Sequence, residues 1–260
     1  MLSENWNLEL EERFEHMAIP KITILTATYN AGKTLERTIL SVINQDYSNW
    51  EYIIVDGMSG DNTHSILEKY EDRISKVIIE KDRGLYDALN KGIAAASGDF
   101  LIVLGADDIF VSDSTLSRIS KKLIDPECNY YGNVYYGDSG IVRGCRYSKL
   151  RWCLYNVCHQ GIFYSKQSYK TQAYNLKYRI FADYAYNLSL IAAGRRFVYI
   201  DEVITLYNTG GLSSNSVDSE FAADKKKFAI EAFGFIGYFY SLVSCVKGLI
   251  IHIIAKIIGR

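Results

Sequence analysis

KITILTATYN (21–30), WEYIIVDG (50–57), ISKVIIE (74–80) and FLIVLGADD (100–108) are four short runs rich in β-branched and apolar residues. The first, second and fourth run straight into polar or acidic residues, and Asp82 stands just beyond the third. Between them lie TLERTILSVINQ (34–45), a segment that opens at Asn62 or Thr63 and runs to Tyr70, and LYDALNKGIAAAS (85–97) with Gly98 just past its end. In the first of these, Leu35, Ile39, Val42 and Ile43 recur at helical spacing. Strands that alternate with helices from Lys21 to about Ile124 specify an α/β domain, with a mostly parallel central sheet covered by helices on both faces.

Beyond Pro126 the rhythm changes. Residues 130–147 read as extended, with Gly and Tyr interleaved, and residues 183–193 as a helix. RFVYI (196–200) and VITLYN (203–208) read as two short strands, NTGGLSSNS (208–216) as a loop, and residues 220–260 as largely helical. At the other end, Ser3 is placed to cap a short amphipathic helix reaching about Met17.

Composition narrows the function. The chain has 260 residues, with 29 Lys and Arg against 30 Asp and Glu, so no strong basic field exists and a general nucleic-acid binder is disfavoured. Tyrosine is abundant, at 21 residues, and offers flat apolar faces with polar tips for holding rings and hydroxylated ligands. Five cysteines without a C-x-x-C pair make a poor disulfide framework, and the acidic N-terminal segment has no apolar core of a secretory signal. Both features set the expectation of a reducing, cytoplasmic location.

In an open α/β sheet, ligands bind beyond the carboxyl ends of the strands. Those ends carry Ala27-Thr28-Tyr29-Asn30, Asp56-Gly57, Asp82-Arg83-Gly84 and Asp107-Asp108. Three of the four hold a carboxylate. Neither G-x-G-x-x-G nor G-x-x-x-x-G-K-[ST] follows the first strand, so the dinucleotide fingerprint and the P-loop are both missing. A diphosphate can still be held if a divalent cation bridges it to carboxylates, and Mg²⁺ and Mn²⁺ commonly bind through one or two carboxylates plus substrate phosphates. Asp107 and Asp108 suit that role. A helix-capping pair is the alternative reading, and Asp56 and Asp82 on the same rim favour the metal.

At this point the chain resembles the family 2, GT-A-fold glycosyltransferases. TATYNAGKTLERTILSVINQ is similar to the family's opening strand and helix, YIIVDGMSGDNT to its VDGxSxDxT segment, and EKDRGLYDALNKGIAAASGDFLIVLGADD to its DxGxxDAxNKG run ending in DD. CHQGIFY, FADYAYNLSLIAAG and YNTGGLSS resemble its later acceptor-side elements, so the likeness covers about Lys21 to Ser214. It implies a GT-A-like, Rossmann-related domain over residues 19–215, with a donor-binding half at about 19–125 and an acceptor half at about 126–215. Residues 1–18 would form an N-terminal helical extension and residues 216–260 a helical, membrane-associating segment.

Carried over residue by residue, the resemblance implies that Tyr29, with backbone near Ala27, stacks on the nucleobase. Asp56 would accept a hydrogen bond from the base, with a geometry suited to a uracil N–H. Asp82 and Lys91 would line the donor cavity, Lys91 toward the phosphates, and Asp107 would hold the cation. Asp183 would be the general base; as a residue alone, it equally reads as a carboxylate complementing a helix N-terminus. Two departures stand out: Gly105 where the family often has an acid, and Ala182 where it often has Glu.

The expected activity is inverting transfer of a sugar from a nucleotide-diphosphate donor, UDP-linked, to a hydroxyl of a glycan or lipid-linked glycan, with Mn²⁺ or Mg²⁺ as cofactor. Rival readings are a sugar nucleotidyltransferase, which needs a Gly-rich basic loop that TATYNAGKT does not supply, and a non-catalytic, membrane-associated glycan-binding scaffold. A processive synthase is disfavoured because Arg151-Trp152 precedes Asp183 and lacks a Gln three positions before Arg151. Cys145, Cys153, Cys158 and His159 match no standard zinc spacing and read as thiols beside one histidine of the site. Gly210-Gly211 with Ser213 reads as a turn or as a loop folding over the diphosphate. Residues 232–246 carry no charge, and Lys247, Lys256 and Arg260 follow without an acid, which reads as an interfacial amphipathic helix on the inner leaflet. Core packing, dimerisation and a full span are its alternatives.

Overall fold

Val, Ile and Thr are stiff at χ1 and pack well on a pleated surface, and they fill the opening strands. The computed structural model, which describes residues 19–137, 139–208 and 218–243, places β1 at Ile22–Thr28, β2 at Trp50–Asp56, β3 at Lys76–Ile79 and β4 at Phe100–Val103. They pair in parallel in the order β3-β2-β1-β4. Thr28 stands opposite Asp56, and Asp56 opposite Ile79, so the strand ends gather on one rim.

Helices α1 (Leu35–Ile43), α2 (Thr63–Lys69) and α3 (Leu85–Ala95) link them. In α1 the buried positions Leu35, Thr38, Ile39 and Val42 form one stripe facing the sheet. Alternate residues of β1 serve opposite faces: Ile24 packs with Ile39, Ile54 and Ile102, and Leu25 with Ile53, Leu89 and Leu101.

The second half is antiparallel where it joins the first. It comprises β5 (Ile109–Phe110), α4 (Thr115–Ser120), β6 (Asn129–Tyr136), β7 (Ile141–Arg143), α5 (Lys149–Leu154), β8 (Ile162–Ser165), α6 (Lys166–Tyr169), α7 (Ala182–Ala192), β9 (Phe197–Tyr207) and α8 (Ser219–Phe233). The order continues β4-β8-β6-β9-β5, with β7 on β6. Only β6 and β9 are parallel there; β4–β8, β6–β8, β6–β7 and β5–β9 are antiparallel. The sheet is therefore mixed rather than mostly parallel.

The two short strands expected at 196–200 and 203–208 are one eleven-residue strand, β9. Its acidic middle does not interrupt it, because Glu202 pairs with Arg118 and Lys122 and the register against β6 shifts around Gly132. A Cβ at Gly132 would meet the Glu202 carbonyl oxygen at 2.7 Å, so only glycine admits this irregularity. The extended reading of 130–147 holds for β6 and β7, while the residues before α5 form a loop.

Asp218 fixes the far side of the site. Its carboxylate caps α8 by accepting from the Phe221 amide at 3.1 Å, and accepts from the Ile180 amide at 2.9 Å just ahead of α7. Gly234, at φ +56°, ends α8, and residues 235–243 are again helical. The expected helix at 1–18, the loop holding Gly210, Gly211 and Ser213, and the basic residues Lys247, Lys256 and Arg260 lie outside the described residues. Among the described residues, no helix is long and apolar enough to cross a membrane.

Candidate active site

A cavity of about 1050 Å³ opens beyond the carboxyl ends of β1 and β4. Ala27, Tyr29, Asp82 and Asp107 line it from the first half of the chain, and Asp183 from the second. Five of the eight residues assigned to the site from the sequence thus line one cavity.

Each is placed by local structure. Tyr29 follows β1 and is 66% exposed, so its ring is available to a flat ligand. Asp82 accepts from the Gly84 amide at 2.8 Å and approaches Gly57 so closely that a Cβ there would lie 2.5 Å from Asp82 Oδ2. Arg37 Nη2 donates to the Asp107 backbone carbonyl at 3.4 Å, the Asp107 carboxylate accepts no side-chain hydrogen bond from any described residue, and burial raises its pKa.

The other three lie off the cavity wall. Asp56 is fully buried: it accepts from the Ser59 amide at 2.9 Å and the Ser59 hydroxyl at 2.5 Å, and lies 2.8 Å from His64 Nε2. Lys91 turns to Glu80, at 3.0 Å, and to the Lys81 carbonyl, at 2.7 Å. Asp108 is fully buried and accepts from Gln160 Nε2 at 2.9 Å, the Asn208 amide at 2.9 Å and the Gly105 amide at 3.2 Å. Burial lifts its pKa to about 6. Asp108 therefore ties the turn to the second half of the chain, leaving Asp107 as the carboxylate that faces the cavity.

This arrangement fits a cation shared with a diphosphate. Among the described residues no three His, Cys, Asp or Glu side chains converge to hold a metal by themselves. A hard cation that keeps substrate phosphates and waters as ligands needs only one or two protein carboxylates. Asp107 supplies one, and Gly105 lets both aspartates fold back on the turn, since a Cβ there would lie 2.4 Å from Asp108 Oδ2 and 3.1 Å from Asp107 Oδ1.

Asp183 stands in the first turn of α7 and is 8% exposed. Its Oδ1 accepts from the Tyr184 amide at 2.8 Å and lies 3.3 Å from Tyr86 Oη, whose proton goes to the Ile180 carbonyl at 2.6 Å. Its Oδ2 accepts from Asn156 Nδ2 at 2.7 Å. Asn156 in turn accepts from Asn187 Nδ2 at 3.1 Å, and Asn187 from Tyr164 Oη at 2.8 Å. This relay of polar groups, half-buried at Asn156 and fully buried at Asn187, fixes the carboxylate from behind.

Burial raises the Asp183 pKa above the usual carboxylate range, while His159 and the Asn156 hydrogen bond oppose that rise. His159 Nδ1 lies 3.9 Å from Asp183 Oδ2, is buried with no hydrogen-bond partner among the described residues, and burial lowers its pKa. Thr28 Oγ1, of a residue on the same cavity, is also buried with no partner among the described residues.

Sequence reasoning did not single out Asn156, Tyr86, Asn187 or Gln160. No local motif marks Asn156, whose role exists only through contact with a residue 27 positions away.

The mixed sheet, with an acid-lined cavity beyond its strand ends, defines a GT-A-like α/β fold. The family model described as "Glycosyl transferase family 2" matches residues 23–194, and the chain belongs to that family. It is a glycosyltransferase. A "PGL/p-HBAD biosynthesis glycosyltransferase" of Mycobacterium bovis is 33% identical over 216 residues, covering 79% of this chain and 84% of the relative. Two solved structures share the fold. S. aureus TarS 1-349 in complex with UDP-GlcNAc has a TM-score of 0.67 at 20% identity, over 81% of this chain and 66% of that one. The mannosyltransferase PcManGT from Pyrobaculum calidifontis, in complex with GDP-Man and Mn²⁺, has a TM-score of 0.60 at 15% identity, over 93% and 82%.

Proposed function

We propose that the protein is an inverting, divalent-cation-dependent glycosyltransferase. It moves one sugar from a UDP-linked donor to a hydroxyl of a glycan or lipid-linked glycan, at the cytoplasmic face of the membrane, in cell-surface polysaccharide biosynthesis. The observation that carries this reading is the meeting of Asp107 and Asp183, from opposite halves of the chain, on one cavity. Transfer needs a negative group to hold the cation of a leaving diphosphate and a second to take a proton from the acceptor.

Asp107 would hold Mn²⁺ or Mg²⁺ together with the diphosphate; when bound, the cation supplies Lewis-acid stabilisation of the leaving group. Tyr29 stacks on the nucleobase. Asp56, fully buried behind the cavity and held by Ser59 and His64, keeps the turn after β2 in place beside Tyr29. Asp183 accepts the acceptor hydroxyl proton as that oxygen bonds to the anomeric carbon and the bond to the diphosphate breaks. Its raised pKa suits a base that must gain a proton. One displacement from the face opposite the leaving group inverts the configuration.

Two relatives in structure support the ligand classes, one holding UDP-GlcNAc and the other a nucleotide-sugar with Mn²⁺. A membrane surface is supported by Phe235, Tyr238, Phe239, Leu242 and Val243, which stand exposed on the helical residues after Gly234.

Calorimetric titration with UDP, in Mn²⁺ and then in EDTA, tests the reading. Binding that depends on the cation supports it. No UDP binding under either condition overturns it.

A further inference from the structure

A second cavity, of about 520 Å³, adjoins the first and shares Tyr136, Arg143, Asn156 and Cys158 with it. Asn156, whose side chain holds Asp183, thus borders both cavities. Its wall carries two arginines with no acidic partner among the described residues. The Arg143 guanidinium carbon sits 4.5 Å over the Tyr136 ring. That of Arg151 sits 4.9 Å from the Tyr147 ring and 5.4 Å from that of Tyr155. Lys91 and Arg118, by contrast, are paired with Glu80 and Glu202.

Stacking on tyrosine orients a guanidinium without neutralising it, so its N–H fork stays directed at a ligand. Two such forks beside one groove match the planar, bidentate recognition of phosphate oxygens. The donor diphosphate belongs at Asp107, on the other half of the chain. An anion in this groove would instead be attached to the molecule whose hydroxyl meets Asp183.

We propose that this groove is an acceptor subsite for a phosphate or diphosphate ester, held by Arg143 and Arg151, so that the acceptor is a phosphate-bearing glycan. This rests on the glycosyl-transfer reading and narrows its acceptor class. The tyrosine faces give the sugar or alkyl portion next to the phosphate an apolar surface to lie on. Trp152 packs edge-on against Tyr147, with ring centroids 5.2 Å apart, and so lies directly beneath the groove.

The test uses the full chain with saturating UDP and Mn²⁺, so that the donor cavity is filled, and titrates octyl diphosphate, octyl monophosphate and neutral octyl glucoside. Tryptophan fluorescence and calorimetry read the binding. The structure predicts that the anionic probes bind in a salt-sensitive manner. Replacing both arginines (Arg143→Gln with Arg151→Gln) should weaken that binding by roughly tenfold or more, the scale of losing charge-assisted hydrogen bonds. UDP affinity should be unchanged in the variant. Preference between the two anions tells a diphosphate from a monophosphate source. Equal binding of octyl diphosphate by the variant, or tighter binding of the neutral glucoside than of either anion, overturns the subsite. Loss of UDP binding in the variant also overturns it, because the arginines would then serve the donor. Failure of UDP binding in the unaltered protein would instead strike the glycosyl-transfer reading.

Discussion

Asn156→Ala separates a positioning role from a packing role. Asn156 gives Asp183 its shortest hydrogen bond, 2.7 Å to Oδ2, in a site where the carboxylate is 8% exposed and solvent cannot replace the lost donor well. A hydrogen bond to a charged group contributes about 1.5–3 kcal/mol. Its removal should therefore push the Asp183 pKa further up, beyond the rise that burial already causes. The active form is the ionised one, so activity falls as pH drops through that pKa, and the acid limb of the kcat profile should move to higher pH by the same amount. Well above the limb most of kcat should return, because the basic oxygen is still present. Asn187→Ala, one link further back, should shift the limb in the same direction by less. The assay is a pH profile of single-turnover transfer, with UDP affinity measured alongside and expected to stay constant. A folded Asn156→Ala protein whose limb does not move, and whose kcat is reduced equally at every pH, would refute the reasoning.

Other perturbations test the remaining parts. Asp107→Asn should weaken UDP binding in Mn²⁺ and leave it unchanged in EDTA, since an amide is a poor ligand for a hard cation; equal loss in both would rule out metal ligation. Asp56→Ala should cost about 2–4 kcal/mol of stability in chemical denaturation, because Ser59 and His64 lose a buried charged acceptor, and should also raise the donor KM. A fully stable variant would show that Asp56 does not anchor the turn. Deleting residues 235–260 should release the protein from vesicles containing anionic lipid, and added salt should mimic part of that release. A full-length chain that never sediments with vesicles would contradict the membrane assignment.

The first half of the fold was legible because its strands are short apolar runs that end abruptly, and its helices bury one stripe each. Leu35, Ile39 and Val42 announce α1 without tertiary help. The second half resisted because tertiary pairing decides it: β9 reads as two strands until Glu202 is seen to be paired and Gly132 to admit the register shift. The same distinction governs the site. Asp107 and Asp108 are equivalent neighbours in sequence, yet Gln160 and the Asn208 amide capture Asp108, while Asp107 stays facing the cavity. Lys91 follows a donor-side motif, but Glu80 and the Lys81 carbonyl turn its ammonium aside. Asp183 was legible through its motif, whereas the Asn156–Asn187–Tyr164 relay behind it joins residues far apart in the chain.

The central claim is that Asp183 takes the acceptor proton, and Asp183→Asn tests it most directly. Asn keeps the size and can still accept from the Tyr184 amide, but has no basic oxygen. Single-turnover transfer should fall by roughly 10²–10⁴, the usual contribution of general base catalysis, while UDP affinity in Mn²⁺ stays constant. A folded Asp183→Asn protein with near-normal turnover would contradict the account, and would leave Asp183 as a carboxylate that only complements the N-terminus of its helix.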